Sequence, residues 1–490
     1  MSHSLHGRRE IITNVKEITP DNVVDVLKKA LTVHNANAAE IHYLYDYYKG
    51  IHPILERTKE VRPEINNRIV ENRAAEIVNF KTGYLMREPV QYISKDDNPN
   101  SEKINRLNYF MFAEEKVSKD RELADDMHIC GTSFRMILPG MPEETDDSPF
   151  EIGTLNPEFT FVIYSNGARK KPVIGVTYIK DDTGNKHYSC YTNDMYYEIL
   201  NYEIVESQPH VLVDIPIIEY PLNLARLGAF ECVLDLLEAI EQVDSNREDA
   251  IEEFVQCLLL LHNVSLDVDK VKALRDLGAI EYADRTETMK GEIKYLTSEL
   301  NQTQTQTLVD YMYQTVLEIC GMPSQGDGNS SDSSNNGAVI FKNGWYSAET
   351  MAINTESMFK KSERKFLKIA LNICKVLSGL DLKPSDVEIK FTRRNYENAQ
   401  AKSQVLITML SCGKIHPKLA FEYCGLFTDP DAAYKMSEQY IKEQEEKAKN
   451  EVFRTAAGNS EEDTGSPQQD GNSPSESRGE QTNRSGDKEN

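Results

Sequence analysis

Five cations fall within nine residues: Lys360, Lys361, Arg364, Lys365 and Lys368. Lys360, Arg364 and Lys368 recur every four positions, so on a helix they share one face. That face could meet phosphate or an acidic neighbour. Glu356 and Glu363 lie close in sequence and give the competing reading, an ordinary solvated face. A second charged pattern has the opposite sign. Glu231, Asp235, Glu238 and Glu241, continued by Asp244, Glu248, Asp249, Glu252 and Glu253, alternate with an apolar stripe through Leu227, Phe230, Leu234, Leu237 and Val243.

Reaction chemistry finds no comparable pattern. The chain has no GxxxxGK[ST], HExxH, G-x-S-x-G, GxGxxG or EF-hand loop. The carboxylate pairs Asp96-Asp97, Asp125-Asp126 and Asp146-Asp147 are sequence neighbours, whose side chains diverge on most elements. "HICG" sets His128 near Cys130, an arrangement that suits a thiol nucleophile and equally a packed strand edge. The eight cysteines form no CxxC pair, so buried free thiols are expected. The reading is of a protein that is not an enzyme and uses no cofactor or metal.

A third segment is conspicuous for what it lacks. "SQGDGNSSDSSNNGAVIFKNGW" (residues 324–345) carries the sole Trp and is otherwise mostly Gly, Ser, Asn and Asp. Ser324, Gln325, Asn329, Ser330, Asn335 and Asn336 offer small polar groups, with Lys342 the one cation. Helical patterns flank it on both sides.

The elements that must position these groups are mixed. The 490 residues suffice for two to four domains. A net charge of −24 argues against a surface that grips nucleic acid everywhere, though not against one local basic element. No apolar run approaches the roughly 20 residues of a membrane span; "CLLLLHNV" is too short. The N-terminus lacks an apolar stretch, which suggests a protein kept in a cytosol.

Residues 1–20 read as loosely ordered. Two helices follow, over 19–35 and 37–50, the second with Ile41, Leu44, Tyr45 and Tyr48 on one packing face. A helix within 69–88 runs into a strand-like "VQYIS". From 127 to 221, short β-rich runs alternate with turns, including a hairpin turn at Asp181–Asn185. Residues 224–256 contain no Pro and predict a helix of about 50 Å. A small strand–helix–strand–strand module is expected over 258–298, then helices over 302–320 and 347–377, a strand over 387–394, and further helices. The last 35 residues hold eight acids and three bases and cannot bury a core.

Taken in order, these segments resemble the portal proteins of tailed bacteriophages, of the type common in siphophages of Gram-positive hosts. The resemblance is carried by Tyr48, Gly50, Arg57, Asn67, Arg68, Ile69, Lys81, Gly83, Tyr84, Leu85, Pro89 and Val90. "CGTSFRMIL", "VDIPIIEYPLN", "NNGAVIFK" and "IKFTRR" add to it, with Ile340 and Phe341 departing from the usual pattern.

The resemblance implies an α+β, helix-rich, ring-forming subunit with wing, stem, clip and crown regions. Mapped here, these are an N-terminal segment (1–36), wing (37–221), stem helix (222–257), clip (258–298), returning stem helix (299–321), tunnel loop (322–346), long wing helix and strand (347–391), crown (392–455) and acidic tail (456–490). It implies a homo-oligomer, normally of twelve subunits, at one capsid vertex of the virion, assembled in the host cytoplasm. Double-stranded DNA would pass through its channel, the large terminase subunit would dock during packaging, and a head-completion or adaptor protein would follow. Major capsid and scaffolding proteins are further implied partners; a membrane is not. The 324–345 segment would face DNA, and acids of the stem helix would repel phosphate. Competing readings are a nuclease of a phage or mobile element and a cytosolic helical scaffold.

Overall fold

The computed structural model describes residues 7–95, 101–140, 148–255, 258–262, 292–296, 302–323, 344–393, 399–427 and 430–458. The chain divides into two compact units, Met1–Asn398 and Ala399–Asn490.

In the first unit, β1 (Ile11–Thr13) precedes α1 (Val23–Tyr48), a single helix of 26 residues. The two helices expected here are one because Asn37 does not break the run. Its side-chain oxygen accepts from Arg9 N at 3.0 Å and its amide donates to Arg9 O at 2.8 Å, so the N-terminal segment satisfies it. The segment 7–20 is therefore tied down, contrary to expectation: β1 pairs parallel with β5 (Thr160–Ser165), and Arg8 is buried.

β5 belongs to a six-stranded sheet ordered β1-β5-β6-β7-β8-β9, with β6 at Pro172–Lys180, β7 at Lys186–Tyr191, β8 at Met195–Leu200 and β9 at Glu203–Pro209. The expected turn joins β6 to β7, with Gly184 at φ +84 and Asp181 N donating to Asn185 O at 3.0 Å. Alternation divides β5 between two cores. Phe161 and Ile163 pack beneath the first half of α1; Val162 and Tyr164 face Phe134, Ile215 and Ile217.

Those last residues lie on or beside a three-stranded sheet, β10 (Ile217–Pro221), β3 (Thr132–Pro139) and β4 (Phe150–Leu155). Around it stand α2 (Arg73–Leu85), α3 (Ser101–Ala113), α4 (Lys116–Cys130) and the longest helix of this unit, α7 (Trp345–Leu377). At 33 residues, α7 runs about 50 Å. β2 (Gln91–Ser94) pairs antiparallel with β13 (Val387–Lys390), so the "VQYIS" strand finds its partner almost 300 residues away.

Four charges lie at the meeting point of these elements. Glu363 of α7 and Arg135 of β3 are fully buried; Lys116 and Asp120 of α4 nearly so. Arg135 reaches Asp120 at 2.5 Å and Glu363 at 3.2 Å, and Lys116 reaches Asp120 at 2.7 Å and Glu363 at 3.0 Å. The hydroxyls of Tyr92 and Tyr220 also donate to Glu363. Two cations thus balance two anions. The reading of Glu363 as part of a solvated face is corrected by this burial.

The second unit holds α8 (Ala399–Ser411), α9 (Pro417–Tyr423) and α10 (Pro430–Gly458). His416 caps α9 by accepting from Lys418 N at 3.2 Å. The acidic tail beyond 458 lies outside the described residues.

Arg135→Met leaves the two buried carboxylates with Lys116 alone. It should destabilise the unit by about 3–5 kcal/mol, read as a fall in the urea midpoint, and Glu363→Gln in the same chain should recover part of the loss. Additive losses would show that the charges do not act together. Burial raises the Glu363 carboxyl, but Lys116, Arg135 and the two phenols outweigh it, so it sits below its usual range. Its stabilising contribution is therefore complete above the unfolded value of about 4.3 and is lost as pH falls through the lower folded one.

Asp126 of α4 behaves oppositely. Burial lifts it to about 7, although Tyr45 donates a hydrogen bond to it. The folded chain keeps a proton that the unfolded chain releases, so stability falls as pH rises from about 4 to 7. Asp126→Asn should flatten the unfolding midpoint across that window.

Candidate functional site

The acidic stretch forms part of a helical hairpin. A short turn of 3-10 helix (Glu231–Val233) leads into α5 (Leu234–Val255), 22 residues and about 33 Å long. This is shorter than the helix expected over 224–256, because residues 224–230 are spent on turns. Arg226 adopts φ +57 and places its guanidinium on Glu219 at 2.6 Å. A Cβ on Gly228 would lie 2.4 Å from Ile129 O, so only glycine allows this approach.

Beyond α5, β11 (Leu258–His262) pairs antiparallel with β12 (Glu292–Leu296), and α6 (Gln302–Cys320) returns beside α5. Of the expected module over 258–298, these two strands are described; residues 263–291 lie outside the described residues. The helices are antiparallel: Ala229 O lies 3.6 Å from Cys320 Sγ at one end, and Arg247 donates to Gln306 Oε1 at 3.0 Å towards the other. Leu234, Leu237 and Ile240 meet Val309, Met312, Val316 and Leu317 in one core. Ile41, Leu44 and Tyr47 of α1 join it, so the Tyr-rich face of α1 is a packing face.

The acids of this hairpin are divided: among the described residues Asp235, Glu248 and Glu252 are exposed, while others turn inward. Glu231 lies in the preceding turn and not in α5; it is buried, salt-bridged to Arg8 at 3.0 Å and accepting from Gly228 N at 2.7 Å. Glu241 is buried against His52, and also accepts from Glu71 N at 3.1 Å. Glu238 is half-buried and receives the Tyr43 hydroxyl at 3.4 Å; Asp235 is exposed. Glu231 and Glu241 as repelling surface acids are thus corrected: both face inward.

Glu241, Ser245 and Asp249 recur every four residues along α5 and form a rail. Residues 49–72, the stretch that joins α1 to α2, lie along it as a strap. Ile69 N donates to Ser245 Oγ at 3.0 Å. Asp249 accepts from Asn67 N at 2.7 Å and pairs with Arg57 at 2.9 Å and Lys59 at 3.1 Å. Burial would raise the Asp249 carboxyl, but the Asn67 amide, Lys59 and Arg57 hold it below its usual range. Arg57 also donates to Asn67 O at 2.9 Å, closing the strap on itself. Asn72 then caps α2, accepting from Ala75 N at 3.1 Å, while its amide holds Tyr48 O at 2.8 Å. Arg57, Asn67 and Ile69, singled out in the sequence, are therefore strap residues, and Tyr48, the last residue of α1, is held by the strap through its carbonyl.

The basic cluster on α7 is partly spent within the chain. Lys360 pairs with Glu356 at 2.5 Å, and Lys368 with Asp214 at 2.9 Å. Lys365 is half-buried, and its ammonium is pulled down by that burial. Lys361 and Arg364 are exposed and carry no ion pair among the described residues. Ser324, Gln325, Asn329, Ser330, Asn335, Asn336 and Lys342 all lie outside the described residues; Trp345, read as loop, is the first residue of α7 and packs near Phe80 and Tyr84. Arg393, from "IKFTRR", is bound to Glu349 at 3.0 Å and Glu356 at 2.7 Å.

The remaining candidates for reaction chemistry are inert. Burial takes His128 down to about 3 and raises the Cys130 thiol, which donates to Asp126 O and Thr132 O at 3.1 Å. A neutral imidazole beside a protonated thiol is no nucleophile. Gly131 at φ +79 lies so close to Arg226 that a Cβ would meet its carbonyl at 2.1 Å. Asp125 and Asp126 belong to α4; the other two Asp pairs lie outside the described residues. Among the described residues no cluster of His, Cys, Asp or Glu could hold a metal, and no helix is long and apolar enough to cross a membrane.

Residues 27–450 match the model of the family described as Phage portal protein, SPP1 Gp6-like, and the chain belongs to that family. It is a structural family, and the chain serves as a phage portal protein. A solved structure described as "Neck of empty GTA particle computed with C6 symmetry" is similar over 72% of this chain and 90% of that one, at 10% identity and a TM-score of 0.41. No curated protein matches the chain.

Arg57→Ala leaves Asp249 with the strap's amides and Lys59. It should lower the unfolding midpoint by an amount equal to about 2–3 kcal/mol. Hydrogen exchange should speed up over residues 57–71 while β5 and β6 stay protected; uniform acceleration would show that the strap is not a local unit.

Proposed function

We propose that twelve copies of this chain close into a ring at one capsid vertex, through which double-stranded DNA is packaged and later ejected. In this reading α5 and α6 form the stem, the β11–β12 region the clip on which the large terminase subunit and then a head-completion or adaptor protein dock, and α7 the long wing helix. Residues 392–455 form the crown. Major capsid and scaffolding proteins surround the wing, and the chain carries out no catalysis itself.

The observation that carries the ring is an apolar row on α6. Leu308, Tyr311 and Ile319 point away from the α5–α6 core and are 49%, 70% and 43% exposed. Spacings of three, four and four, passing through Thr315, keep them on one face. Such a row costs solubility in a monomer and suits the same hairpin of a neighbouring copy. Leu308→Glu with Tyr311→Glu should reduce the mass measured by light scattering from a multiple of 55.8 kDa to the single chain, with circular dichroism unchanged. A wild-type chain that scatters as one copy, with no axial opening in negative stain, would end the ring reading.

For residues 324–343, composition supports the channel role. A passing duplex must be touched without being held; base readout needs fixed donors and acceptors, and tight phosphate binding needs Lys or Arg. One Lys among small polar groups meets that requirement. Deleting 326–335 should impair DNA packaging in a complementation assay while leaving rings intact; unchanged packaging rejects the assignment. On α7, Lys361 and Arg364 are the cations left to meet DNA or the next subunit. Lys361→Glu with Arg364→Glu separates the two: loss of rings identifies a subunit contact, and intact rings that package poorly identify DNA.

A further inference from the structure

Cys232 and Cys320 are 88 positions apart in sequence, yet they meet where the α5–α6 hairpin begins and ends. Cys232 sits in the 3-10 turn that opens α5, and Cys320 is the last residue of α6. Cys320 Sγ lies 3.6 Å from the carbonyl oxygen of Ala229, three residues before Cys232. Both line a cavity of about 220 Å³ whose walls include Lys81, Tyr84, Met351 and Ala352. Lys81 is held there, with Nζ donating to Cys320 O at 2.6 Å and lying 3.6 Å from Met351 Sδ. Cys232 is exposed and Cys320 buried.

We propose that Cys232 and Cys320 form a reactive dithiol, a modification site at which a low-molecular-weight disulfide joins the start of α5 to the end of α6. The residues divide the work. Cys232 is reachable from solvent and attacks. Cys320, on the wall of the same cavity, resolves. The neighbouring Cys320 thiol leads in holding the Cys232 thiol down at about 7, with the Lys81 ammonium adding to it. Reactive cysteines occupy this kind of electropositive, partly exposed place near a helix start. Cys190 and Cys374 show the contrast: burial pushes both thiols up to about 12.

With oxidised glutathione as the oxidant, the atoms balance in two exchanges. The Cys232 thiolate attacks one glutathione sulfur, the S–S bond breaks, and one glutathione thiolate leaves. The Cys320 sulfur, giving up its proton, then attacks Cys232 Sγ and expels the second glutathione thiolate. The two thiol protons end on the two released glutathiones, and the two electrons lost by the dithiol reduce the oxidant. The product fixes both ends of the segment that contains α5, the β11–β12 hairpin and α6. For a particle that assembles in a reducing cytosol and persists outside it, this fastening would come after assembly. That timing rests on the portal reading; the dithiol chemistry does not.

The test uses the full chain. After incubation with oxidised glutathione at pH 7, a non-reducing digest should contain a linked Cys232–Cys320 peptide. Cys320→Ala should halt at a stable glutathione adduct on Cys232. Iodoacetamide labelling of Cys232 should show a pH midpoint near 7, rising toward the ordinary thiol range in Cys320→Ala. At pH 7 the native Cys232 should react about threefold faster than a thiol of ordinary acidity, the gain in thiolate being partly offset by its lower nucleophilicity. The exposed Cys412 provides the internal comparison. An adduct that accumulates on Cys232 of the unsubstituted chain with no crosslink, or a midpoint at the ordinary thiol value, overturns the proposal. Neither result depends on whether the chain forms rings.

Discussion

Glu363 is the residue on which the first unit converges. A carboxylate with no solvent access is costly, and its cost is met by ligands from four separate elements: Lys116 of α4, Arg135 of β3, Tyr92 of β2 and Tyr220 of β10. Each of those elements must be in register for the charge to be tolerated. The longest helix of the unit is therefore fixed in position on the sheet by one acid near its middle, reinforced one residue away by Ser362 Oγ donating to Glu219 O at 2.7 Å. Glu219 in turn holds Arg226, Tyr164 and Thr132, which sets the turn into α5. Two linked charge clusters thus carry position from α7 to the start of the helical hairpin.

The hairpin follows the same logic on its outer side. Its apolar stripe packs against α1, α2 and α6, as the 3.6-residue period demands. Glu241 and Asp249 are used by the strap, and Glu231, just before α5, by the N-terminal segment. For a portal protein this matters mechanically. A long helix gains from polar fastenings along its length, since they fix register in a way that apolar contacts alone do not.

Local pattern was legible where period and partner type coincide. Of the stripe Ile69, Ala74, Ile77, Val78 and Leu85 expected over 69–88, the last four are buried in α2 while Ile69 lies in the strap and is exposed; the Asp181 turn joined two strands, and 347–377 was one long helix. Boundaries failed where a side chain had a distant use. Asn37 looked like a break and was a ligand for Arg9; residues 224–230 looked helical and were turned by Arg226 and the close approach at Gly228. The charged groups were the least legible. Glu363 and Glu241 carry no local mark that separates a buried acid from a solvated one.

By itself, the sequence determined the class of element along most of the chain, the absence of familiar catalytic motifs, and an ordered set of segments sufficient for the family resemblance. These depend on neighbours within a turn or two, or on motif order, both written in the chain. Tertiary structure alone decided which charges face water. Arg135 and Glu363 are 228 positions apart, and Arg57 and Asp249 are 192 apart. A charge's fate depends on the sign and reach of what folds against it, and a single helix face gives no account of its partner.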